Sequence, residues 1–135
     1  MSFAEQQTWF ELLAASDERG LAEIAAAAGF GEPRKTAANL CMLNAAFDDQ
    51  RLIVDITRHA LTAADPDLAL NNLERLTATV DKSDLAIVLA DQTSTDQLLT
   101  ILGASPFLTG ILCRRAGFFA GLFRKGQINH AKTQQ

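Results

Sequence analysis

The chain has no tyrosine, one tryptophan and only two cysteines among its 135 residues. Few β-branched residues stand side by side, and with tyrosine missing this argues against sheets. Cys41 and Cys113 form no Cys-x-x-Cys pair of the kind that holds zinc. Each lies inside an apolar helical pattern, so reduced core thiols are expected. There is no uncharged apolar run of about 18 residues, the length a membrane-spanning helix needs. Acids stand at the N-terminus where a secretory signal would be basic, so a cytoplasmic chain is expected. Acids are also missing after Asp96.

The composition that remains favours helix. Hydrophobic residues make up 48% of the chain, much of it Ala and Leu, both strong helix formers. A length of 135 residues suits one domain with a proper core. The net charge of −4 speaks against general affinity for nucleic acid. Residues 1–96 hold all sixteen acids and seven bases, a balance of −9. Residues 97–135 hold Arg114, Arg115, Arg124, Lys125 and Lys132, a balance of +5. Such asymmetry points to a partner or surface near the C-terminal end.

Periodicity and capping signals predict an all-α fold: an irregular stack of eight or nine short antiparallel helices. The first helix spans about residues 3–15, with Phe3, Phe10, Leu13 and Trp9 as core candidates. The second spans about 17–28, with Leu21, Ile24, Ala25 and Ala28 on one face. Gly29 or Gly31 stops it. Pro33 opens the third, where Leu40, Leu43 and Phe47 share a face. Asp48 or Asp49 caps the fourth, whose core side holds Leu52, Ile56, Ala60 and Ala63. Asp65-Pro66 opens the fifth, with Ala69, Leu73, Leu76 and Val80 inward. Ser83 is expected to start the sixth helix. The box Ser94-Thr95-Asp96-Gln97 is expected to start the seventh, which ends at Gly103. Ser105-Pro106 opens the eighth. The run Phe118 to Phe123 suggests a ninth. Residues 1–126 read as one helical domain, and 127–135 as a frayed polar tail.

Side chains that could carry chemistry are few. His59 and His130 each lack a second metal ligand at helical spacing. The carboxylates of Asp17-Glu18, Asp48-Asp49 and Asp65 with Asp67 all fall at helix starts, where unsatisfied N–H groups account for them. Gly29-x-Gly31 lacks the Gly-Lys-Ser/Thr of a phosphate loop, and no Gly-x-Ser-x-Gly elbow occurs. Ser105 reads as a cap. Asn71-Asn72 sits mid-helix, where asparagine is a poor choice. Asn71 points away from the apolar face and Asn72 flanks it, so Asn72 is expected to hydrogen-bond across a helix seam. No catalytic residue, metal ligand or cofactor site is assigned.

Two stretches are distinctive. One is Ala64-Asp65-Pro66-Asp67-Leu68-Ala69-Leu70-Asn71-Asn72-Leu73-Glu74-Arg75-Leu76. The other is Leu102-Gly103-Ala104-Ser105-Pro106-Phe107-Leu108-Thr109-Gly110-Ile111-Leu112, followed by Arg114-Arg115. Over about residues 45–115 their order and separation resemble the N-terminal helical region of glutamine synthetase adenylyltransferase, which adds and removes AMP on glutamine synthetase. In that family a helix of the pattern DPD-x-AL-x-x-L-x-R precedes one of the pattern GAS-x-F-L-x-x-L, and an Arg-His-Pro-Glu element follows. Here Arg114-Arg115-Ala116-Gly117 stands in the last place. The family's Gly-Ser stretch with a magnesium-holding Asp-x-Asp has no counterpart, because Asp65-Pro66-Asp67 lacks the glycine-serine lead-in. The resemblance therefore implies a non-catalytic role, with no catalytic residue carried over. That role is packing beneath a following catalytic domain, or contact with glutamine synthetase or its nitrogen-status regulator.

The expected contact surface is residues 107–125. It combines Phe107, Leu108, Ile111, Leu112, Phe118, Phe119, Leu122 and Phe123 with Arg114, Arg115, Arg124 and Lys125. Phe119 and Phe123 share one helical face while Phe118 lies about 100° from Phe119, so one apolar group stays uncovered. A stand-alone interaction module unrelated to nitrogen control is the alternative. It would self-associate, or less readily adsorb to an anionic membrane, because the positive groups are few and the polar face is short.

Overall fold

Aspartate does most of the capping. In the computed structural model, which describes residues 1–114, eight helices follow one another and none of the described residues is in a strand. They are α1 (Phe3–Ala14), α2 (Glu18–Ala28), α3 (Pro33–Phe47), α4 (Gln50–Ala60), α5 (Pro66–Thr77), α6 (Lys82–Leu89), α7 (Gln92–Leu102) and α8 (Pro106–Arg114). A side-chain oxygen of Asp17 accepts from Gly20 N–H, that of Asp49 from Leu52 N–H, and that of Asp65 from Leu68 N–H. Asp81 and Asp91 do the same for α6 and α7. Each supplies an acceptor to a helix start whose first N–H groups have no partner within the helix.

The expected ninth helix at 118–123, the domain end at 126 and the polar tail at 127–135 lie outside the described residues. Two expected starts move. α6 is capped by Asp81, not Ser83. α7 is capped by Asp91, so Ser94 is not a cap but lies within the first turn, where its N–H and hydroxyl both donate to Asp91. Asp81 and Asp91 each stand immediately before the first helical residue, where their carboxylates reach the free N–H groups of Ser83 and Ser94. Asp48 and Asp49 divide their work. Asp48 closes α3 in the left-handed region at φ 50°, and Asp49 caps α4. Gly29 ends α2 at φ 114°, a conformation that side-chain-bearing residues rarely adopt.

The core runs through every helix, from Trp9 and Leu13 of α1 to Leu112 of α8. The inward set Ala69, Leu73, Leu76 and Val80 is buried as its spacing requires, with Val80 just beyond the end of α5. In α4 the buried face is Ile53, Val54, Ile56, Thr57 and Ala60, while Leu52 is only half-buried, and Ala63, also half-buried, lies beyond the end of the helix. Ala28 and Phe3 leave the expected core. Ala28 is exposed and Phe3 is 77% exposed, because the buried stripe of α1 is Trp9 and Leu13 near its C-terminal end. Cys41 and Cys113 are free and half-buried. α5 lies at the middle of the stack and touches α3, α4, α7 and α8. α7 and α8 meet at a bend of 113°. Among the described residues no single helix is long and apolar enough to cross a membrane.

Candidate functional site

The N-terminal end of α5 gathers the residues of the first distinctive stretch. Asp65 caps its own helix and Pro66 occupies the first turn, where a missing N–H costs no hydrogen bond. Asp67 does something the sequence pattern does not show. Its Oδ2 accepts from Gly31 N–H at 2.7 Å, and its Oδ1 accepts from Glu32 N–H at 3.0 Å and the Thr36 hydroxyl at 2.9 Å. The N-cap position of α3 is Glu32, whose own side chain makes no capping bond. Asp67 instead holds the two backbone N–H groups that precede α3, together with the Thr36 hydroxyl, and so ties α5 to the α2–α3 turn. Partial burial pushes its carboxyl up, but the hydrogen bonds from Gly31, Glu32 and Thr36 outweigh this and hold it below the usual 3.8. A cleft of about 380 Å³ opens beside this joint, lined by Gly31, Glu32, Lys35, Asp65, Asp67, Leu68 and Asn71.

The second distinctive stretch meets the first on the other side of α5. Asn72 is 3% exposed, and its Nδ2 donates to the Leu102 carbonyl at 2.9 Å. That carbonyl belongs to the last turn of α7, where no intrahelical donor reaches it. The expected seam hydrogen bond of Asn72 is therefore present. Gly103 comes next. A Cβ there would sit 2.9 Å from Ala63 Cβ, 3.1 Å from the Asp65 carbonyl and 3.2 Å from Ala69 Cβ. Glycine lets the end of α7 pack directly on the start of α5. Ser105 then caps α8, its Oγ accepting from Leu108 N–H at 3.2 Å. Asn44 repeats the Asn72 device elsewhere, donating to the Leu13 carbonyl in the last turn of α1 at 3.2 Å. Sequence reasoning missed it, although an asparagine within the last turn of a helix was the available signal.

His59 is tied to α7. Its Nε2 lies 2.7 Å from Gln92 Oε1, to which Arg58 Nη2 also donates at 3.3 Å. Guanidinium only donates, so the shared atom is an acceptor and His59 Nε2 carries the hydrogen. Nδ1 faces Asp96 Oδ1 at 3.6 Å. Asp55 pairs with Arg58 at 3.4 Å. The geometry holds α4 against α7. Among the described residues no group of three or more His, Cys, Asp or Glu side chains could hold a metal ion.

Of the expected contact surface, α8 carries the described part. Phe107 is 72% exposed, Leu108 42% exposed, and Arg114 is exposed. Leu112 must be removed from that surface: it is 2% exposed and belongs to the core, on the same side of α8 as buried Thr109. Ile111 is half-buried. Arg115, Phe118, Phe119, Leu122, Phe123, Arg124 and Lys125 lie outside the described residues. Compared with protein-family models, with curated proteins and with solved structures, the chain finds no match.

Proposed function

We propose that the chain is a non-catalytic helical domain of the glutamine synthetase adenylyltransferase kind, serving protein–protein contact in nitrogen regulation. The observation that carries the contact role is the start of α8, where Phe107 and Leu108 stand in solvent beside a well-packed core. Large apolar groups placed together at a surface favour a protein partner. By resemblance, that partner is glutamine synthetase or a following catalytic domain. The two stretches that carry the resemblance meet around α5, through Asn72 with Leu102 and through Gly103 with Ala63, Asp65 and Ala69. This supports reading them as one structural unit. The non-catalytic part of the reading rests on the missing Gly-Ser and Asp-x-Asp signature, since phosphoryl transfer of that kind depends on carboxylate-held metal ions. Incubation with glutamine synthetase, magnesium and labelled ATP tests it. No label should pass to glutamine synthetase above a no-protein control, and transfer of label overturns the reading.

The same exposed pair favours a second reading, in which the partner is another copy of the chain. Isolated Phe107 and Leu108 faces would then pair with each other, independently of nitrogen control. Sedimentation of the chain alone separates the two readings, because only the second requires association without an added protein.

A further inference from the structure

We draw no further inference here: the strongest candidate, the cleft between the α2–α3 turn and the start of α5 lined by Lys35, Asp65, Asp67 and Asn71, rests on a helix N-terminus and an acidic cluster whose Asp65 and Asp67 carboxylates already accept hydrogen bonds from the protein, with no second observation that points to a ligand.

Discussion

At the scale of single residues, two polar side chains of α5 hold other helices by their ends. Asn72 serves the C-terminal carbonyl of α7, and Asp67 serves the Gly31 and Glu32 amides that lead into α3. Their energetics differ because their surroundings differ. The Asn72 bond is buried, so Asn72→Ala removes the side-chain donor of the Leu102 carbonyl in a buried setting. The expected loss is about 1–3 kcal/mol, read as a lower urea midpoint with an unchanged slope. A midpoint equal to wild type would contradict the seam role. The Asp67 bonds to Gly31 and Glu32 are partly open to solvent, so Asp67→Asn is expected to cost only about 1–2 kcal/mol at neutral pH. The pH dependence distinguishes charge from shape. Asp67 is held below its ordinary value of 3.8 in the folded chain, so the unfolded chain binds the proton more readily. Its contribution is complete above that ordinary value and is lost as pH falls through the lower folded value. The stability gap between wild type and Asp67→Asn should therefore be constant near neutrality and shrink in acid. A gap that widens in acid would show that the carboxylate is not the stabilising form.

At the scale of elements, the helices were legible where one signal stood alone. Asp65-Pro66 and Ser105-Pro106 each offered a cap and a first-turn proline, and both helices start there. The inward face of α5 followed from its spacing. The starts of α6 and α7 were misplaced because two caps competed within a few residues, Asp81 against Ser83 and Asp91 against Ser94, and the pattern does not rank them. The burial of Leu112 was missed for a different reason. A short helix rich in apolar residues has several faces that satisfy the same spacing, and the neighbouring helices choose among them. The α8 start offers a direct check. Ser105→Ala should destabilise by about 1 kcal/mol, whereas Ser105→Asp should remain near wild type, because aspartate accepts the Leu108 N–H as well as serine does. Equal destabilisation by both in a urea melt would show that Ser105 acts through packing and not as a cap.

At the scale of the whole molecule, the chain is net acidic, while α8 has no acid and exposes Phe107, Leu108 and Arg114, all three within the segment that the sequence marks out. The Asp67 tie to residues more than thirty positions earlier was not legible in the sequence, because local pattern carries no information about which distant amides a first-turn carboxylate will meet. The central claim is that α8 presents a contact surface rather than an edge of the core. Sedimentation velocity on wild type and Phe107→Asp, each alone and mixed with glutamine synthetase, tests it most directly when far-ultraviolet circular dichroism is recorded on the same samples. The account predicts that wild type co-sediments with glutamine synthetase. It further predicts that Phe107→Asp does not, while keeping its helix signal, since a 72% exposed ring contributes little to the fold. Wild type that sediments as a strict monomer with and without glutamine synthetase, or a Phe107→Asp chain that loses its helix signal, would contradict it.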